Sequence, residues 1–103
     1  GLDAKNKRFA PVRIDTNYYV ELEGFKSQFE ESLSDTLICE FWYDIDTLGK
    51  VSNIEIIHHA TKRIDDAVME FYSSFGYKPA NDGTKKLNYR NIDFIYFLGR
   101  RKK

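Results

Sequence analysis

With one cysteine in 103 residues, Cys39, the chain cannot form an internal disulfide and must hold its core together by packing. Cys39 sits inside an apolar run, where a thiol behaves as a small hydrophobe. Proline is confined to Pro11 and Pro79, which leaves the long apolar run Leu87 to Leu98 without a strand breaker. An excess of either charge is also missing. Sixteen basic side chains are balanced by sixteen acidic ones, which argues against the broad cationic surface of a nucleic-acid binder. The local basic runs, Lys5, Lys7, Arg8 and Arg13 at the start and Arg100 to Lys103 at the end, read as solvated ends. No stretch approaches the roughly 20 apolar residues that cross a bilayer, and no signal-peptide pattern opens the sequence. Any membrane anchor is therefore expected outside it.

Chemistry-bearing motifs are equally scarce. There is no Gly-rich phosphate loop, and no nucleophile motif surrounds Cys39. His58 and His59 are adjacent, so on a strand they point to opposite faces and cannot share one metal without a bend. The expectation is a domain without cofactor or metal, and not an enzyme.

Bulk aromatics are what the chain has in quantity: eight Phe and seven Tyr, enough to build one compact core at this length. Residues 1–17 are polar and irregular apart from the extended-looking Phe9 to Ile14, and read as a lead-in. A domain then spans 18–99, followed by a basic tail, 100–103. Leu22, Phe25, Phe29 and Leu33 recur at three, four and four residues and predict an amphipathic helix, with Gly24 placing its start near either Tyr19 or Phe25. Leu37 to Ile45 alternates and predicts a strand. Asp46 to Gly49 supplies a turn in which Gly49 can take positive φ, and Val51 to Ile57 predicts the second strand of a hairpin. Ile64, Ala67, Val68, Phe71, Tyr72 and Phe75 form the clearest helical stripe, with Asp65 and Asp66 in its first turn and Gly76 and Pro79 ending it. Asn81 to Gly83 is a turn, and Leu87 to Leu98 is a long last strand. The order helix, strand, strand, helix, strand gives an α+β fold, a three-stranded antiparallel-type sheet with two helices on one face. Trp42 should project from the other face, with Val51 and Ile57 as candidates to share that surface, where self-association or the segment Phe9 to Ile14 would cover it.

The turn Ile45-Asp46-Thr47-Leu48-Gly49-Lys50-Val51 resembles the "I-D-x-x-G-K-V" turn of TonB C-terminal domains. Ile64-Asp65-Asp66-Ala67 is similar to that family's "L-D-x-A" helix start, and Phe75-Gly76-Tyr77-Lys78-Pro79-Ala80 to its "W-x-[FY]-K-P-A" ending, with Phe75 in place of Trp. The closing Phe94-Ile95-Tyr96-Phe97-Leu98 resembles its last strand. The resemblance covers about Leu37 to Leu98 and implies a TonB/TolA C-terminal-like fold. It further implies a periplasmic domain, anchored in the inner membrane by an N-terminal helix and associated with an ExbB/ExbD-like motor complex. Such a domain couples the proton motive force to outer-membrane transport, such as siderophore and iron uptake. The implied partner is the TonB-box peptide of outer-membrane receptors, paired to the last strand by β-augmentation. The expected contacts are Leu87, Tyr89, Arg90, Asn91, Ile92 and Asp93, with Tyr77 and Lys78 at the approach. A TolA-type translocation and envelope-integrity domain shares the architecture, but Tyr77-Lys78-Pro79-Ala80 favours TonB. A homodimerisation module is a further alternative, and a small ligand-binding or enzymatic domain would need a polar cavity.

Overall fold

The computed structural model describes residues 8–15 and 17–100. Residues 1–7, Thr16 and 101–103 lie outside them, and with them most of the lead-in and of the basic tail. The first element of the described residues is a two-residue strand, β1 (Val12–Arg13), followed by helix α1 (Tyr18–Glu30). Gly24 lies in the middle of α1, so the helix starts near the earlier of the two expected positions. The reason is packing: Tyr18 and Phe29 bury their rings, and Leu22 and Phe25 pack against the same cluster, which outweighs the ~1 kcal/mol a helical glycine costs.

Strands β2 (Leu37–Ile45) and β3 (Val51–His58) form the hairpin. Asp46 builds its turn, its carboxylate accepting from the backbone N–H of Leu48 and Lys50 at 2.8 and 2.9 Å. Gly49 takes φ +80° there. Helix α2 (Lys62–Ser73) starts at Thr61, whose hydroxyl accepts from Ile64 N at 3.1 Å. Beyond it run three strands of two residues each: β4 (Tyr77–Lys78), β5 (Ala80–Asn81) and β6 (Lys86–Leu87). The last strand, β7, is Tyr89–Phe97. The long run Leu87 to Leu98 is therefore split at Asn88, because Leu87 pairs with Ala80 in the β5–β6 hairpin instead of joining β7.

The main sheet has the order β3-β2-β7, antiparallel throughout. Alternation decides its faces: Cys39, Phe41, Tyr43 and Ile45 of β2 and Ile95 and Phe97 of β7 are buried beneath the helices. α1 lies toward β7, and α2 toward β3 and β2. Phe25 stacks on Phe71 at 4.3 Å, joining the two helices above Phe97. The architecture is thus α+β, two helices on one face of a three-stranded antiparallel sheet.

The segment Phe9 to Ile14 pairs with the chain around Gly76 to Asn81 and does not cover the opposite face. Val12 and Arg13 pair with Lys78 and Tyr77, Phe9 exchanges two hydrogen bonds with Asn81, and Ile14 N donates to Gly76 O at 3.1 Å. No helix of the described residues is long and apolar enough to cross a membrane.

Candidate partner-binding edge

Two strands end the sheet, and they differ. β3 shifts register twice against β2, and Asn53 within it has φ +49°, its side chain tied to Asp44 at 2.9 Å. Such irregularities twist an edge away from further pairing. β7 keeps unbroken register with β2 over nine pairs, from Leu37↔Phe97 to Ile45↔Tyr89. Its free side can be oriented from two bonds: Phe94 N donates to the Asp93 carboxylate and Leu98 N to that of Glu30, so neither enters the ladder. In an antiparallel strand N–H and C=O of one residue point the same way and alternate along the chain. Arg90, Ile92, Phe94 and Tyr96 therefore direct their backbone groups outward.

The side chains expected to meet a partner divide between the two faces of this edge. Arg90 and Ile92 lie on the open face. Arg90 bridges Asp44 and Glu55 at 3.0 and 3.1 Å, over the Trp42 ring. Asn91 and Asp93 turn to the helix side, Asn91 donating to the Tyr43 hydroxyl at 2.9 Å. Tyr89 is exposed at the strand's start and Lys78 is exposed on β4. Leu87 is half-buried in the small hairpin, away from the β7 ladder. Tyr77 is a correction: its ring is buried, and its hydroxyl accepts from Arg13 at 3.0 Å and lies 3.4 Å from that of Tyr43, so its side chain serves the core.

Behind β7 lies a polar cluster that no local pattern announces. Tyr72 donates to Asp93 at 2.5 Å and lies 2.8 Å from the Tyr18 hydroxyl. Arg13 approaches the same carboxylate at 3.7 Å and rests 3.6 Å above the Tyr18 ring. Partly desolvated cation–π contacts of this kind contribute about 1–2 kcal/mol. Arg13 therefore departs from the basic run with which it was grouped: it is caged rather than solvated. Burial first, and then the neighbouring Asp93 carboxylate, push the Tyr72 phenol far above its ordinary range. Tyr72→Phe keeps the ring but strands the Asp93 oxygen and the Tyr18 hydroxyl. The expected loss is about 1–3 kcal/mol in urea denaturation, with β2 and β7 amide shifts altered around Phe41 and Asp93.

The open face of the sheet is apolar at its centre. Ile38 lies opposite Tyr96 and Trp42 opposite Ile92, while Phe94 contacts Tyr96 edge-on at 5.2 Å. Ile57 is exposed and adds to this surface. Val51 does not, since it pairs with buried Ile45 and packs against the core.

His59, Asp65 and Cys39 meet at the other end of the sheet. Asp65, almost fully buried, accepts from Ala60 N at 3.0 Å and from the Cys39 thiol at 3.5 Å, and its second oxygen lies 2.7 Å from His59 Nδ1. The thiol thus faces a carboxylate and not the imidazole, and burial together with that carboxylate pushes it up to about 12. A thiol so placed is a structural group rather than a nucleophile. Among the described residues no three His, Cys, Asp or Glu side chains converge as metal ligands.

Sequence reasoning missed Arg13, Tyr18, Glu30, Tyr72 and the buried role of Asp65. Parity along β7 could have put Asn91 and Asp93 on the helix side; nothing local could have paired Arg13 with Asp93. No protein-family model and no curated protein matches the chain.

Proposed function

We propose that this chain is a gripping domain of the TonB C-terminal kind, which takes an extended partner segment along the free edge of β7. The observation that carries the proposal is the contrast between the two edges, β3 irregular and β7 in unbroken nine-pair register with outward backbone groups. Strand addition loads several hydrogen bonds together and demands little of the partner's exact sequence, which suits a domain that transmits force. In the biological setting of that family, the partner is the TonB-box segment of an outer-membrane receptor. The domain then works in the periplasm and couples an inner-membrane motor to transport. Recognition is the whole of its task in this reading, with no catalytic step.

Titration with receptor-box peptides, followed by backbone amide shifts, tests the edge. Perturbation should run along Arg90 to Phe97 and into β2. Tyr96→Pro removes an outward N–H while leaving the inner ladder intact, and should weaken binding about tenfold or more. Shifts confined to the Asp46–Gly49 turn, with Tyr96→Pro binding like the parent, would sink the proposal. Sedimentation of the free chain separates the dimerisation alternative, which requires a dimer at low concentration that the proline variant dissociates.

A further inference from the structure

The edge of β7 is not bare. Two of its outward N–H groups are already taken: Phe94 N donates to Asp93 Oδ1 at 3.0 Å, and Leu98 N donates to Glu30 Oε2 at 2.7 Å. Between and before these caps, Ile92 and Tyr96 keep their outward groups for a partner. A charged side chain set against an edge is a known means of discouraging indiscriminate strand pairing. The two caps differ in what happens when a partner displaces them.

Asp93 remains compensated, because its other oxygen keeps the Tyr72 hydroxyl and the nearby Arg13 guanidinium. Among the described residues Glu30 has no such reserve. It is the last residue of α1, beside Glu31, with no basic residue in the helix's final turn. A carboxylate at the negative pole of a helix is unfavourable, and the Leu98 N–H is the donor that offsets it. Among the described residues, two nearby cations are placed elsewhere: Arg63 sits over the Phe29 ring at 5.0 Å, and Lys26, one turn before Glu30, reaches Glu23 at 3.8 Å. On β7 itself the cation, Arg90, faces the open side and is held by Asp44 and Glu55.

We propose that β7 is a guarded edge whose partner is an extended peptide segment carrying a Lys or Arg that takes over Glu30 as the segment's carbonyl takes Leu98 N–H. This deepens the edge-pairing proposal and rests on it. The side chains next to that cation along the edge alternate, and those on the open side are apolar, since they lie beside Ile92, Phe94 and Tyr96, all more than a third exposed. The acid at the helix end thus selects the partner by charge, while the edge itself selects only for extended backbone.

Three blocked peptides of alternating Thr and Val test this, identical except for Lys, Glu or Ser at both ends, so that strand direction is immaterial. The chain carries no net charge, so a general preference for cationic peptides is not built in. The Lys peptide should bind β7 about tenfold more tightly than the Glu peptide, with amide shifts extending to Leu98. Glu30→Gln keeps an acceptor for Leu98 N–H but removes the charge, and should bring the Lys and Glu peptides within about twofold. Glu30→Ala removes the cap altogether and should tighten the Ser peptide about threefold. Equal binding of all three peptides on β7 of the parent chain would overturn the guarded edge while leaving edge pairing intact. Binding by none of them at β7 would count against both.

Discussion

Replacing Gly49 by alanine is expected to lower stability by about 3 kcal/mol or more. Two costs combine. Gly49 has φ +80°, where an L side chain is strained by about 1–3 kcal/mol. A Cβ there would also overlap the backbone carbonyl of Tyr77, which cannot swing aside because Tyr77 N donates to Gly49 O at 3.0 Å. Relief requires β4 to lift from the hairpin turn. Tyr77 would then draw its hydroxyl away from Arg13 and Tyr43, and β1, paired to β4, would loosen with it. A drop of about 12 °C or more in Tm should accompany the urea result, at roughly 4–8 °C per kcal/mol for a domain of this size. Gly83→Ala is the control. Its φ is +91°, but a Cβ there meets nothing within 4 Å, so strain alone should cost about 1 kcal/mol. Equal losses in the two variants would mean that the docking of Tyr77 on the turn contributes nothing.

Burial of one face explains why the middle of the chain was legible and its flanks were not. β2 spans the residues its alternation predicts, Leu37 to Ile45, because one face is buried and a one-residue slip would turn Phe41 and Tyr43 to solvent. α2 follows its stripe for the same reason, though it ends at Ser73, and Phe75 packs just beyond it. β1, β4, β5 and β6 are too short to carry any period. β1 and β4 depend on a distant pairing, Val12 with Lys78, which leaves no trace in a local window, whereas of the β5–β6 hairpin only the turn from Asn81 to Gly83 shows in the sequence.

The candidate edge was legible to the same degree. A run of β-formers without proline from Leu87 to Leu98 announces a strand, and the crossover through α2 leaves it a place beside β2. What the run cannot disclose is which of its backbone groups are spent. The Glu30 cap joins a helix end to residue 98, and the Asp93 cap depends on which side of β7 faces outward. Tyrosines were counted as bulk. Their hydroxyls, however, bind together Tyr18, Tyr72 and Asp93 on one side and Tyr43, Tyr77 and Arg13 on the other.

That cluster sets the response to alkali. Between about pH 9 and 12 the chain is expected to lose stability steeply and to unfold before Cys39 ionises in the folded state. The thiol's ordinary value of 9.0 is pushed to about 12 by burial and by Asp65, and the phenols of Tyr18, Tyr43 and Tyr72 are raised above 10.0, chiefly by burial. All four are neutral when protonated. Above pH 9 the unfolded chain sheds these protons while the folded chain keeps them, so stability falls as pH rises. Below pH 9 their contribution is fully present. Each group lowers stability by about 1.4 kcal/mol per pH unit once its unfolded form has ionised. At pH 11 that is about 3 kcal/mol from Cys39 and about 1.4 from each of Tyr43 and Tyr72, some 6 in all, and Tyr18 acts in the same direction. Domains of this size hold about 5–15 kcal/mol in total, so the transition should fall near pH 11. Urea denaturation at successive pH values measures the slope. Cys39→Ala should flatten it by about 1 kcal/mol between pH 9 and 10, where the thiol is the first of the four to titrate. At pH 8 the parent thiol should resist a disulfide reagent for as long as the chain stays folded, because attack requires a thiolate exposed to solvent. A stability that stays flat from pH 9 to 11, or a thiol that reacts at once, would mean that the helix-covered face of the sheet admits water where the geometry closes it.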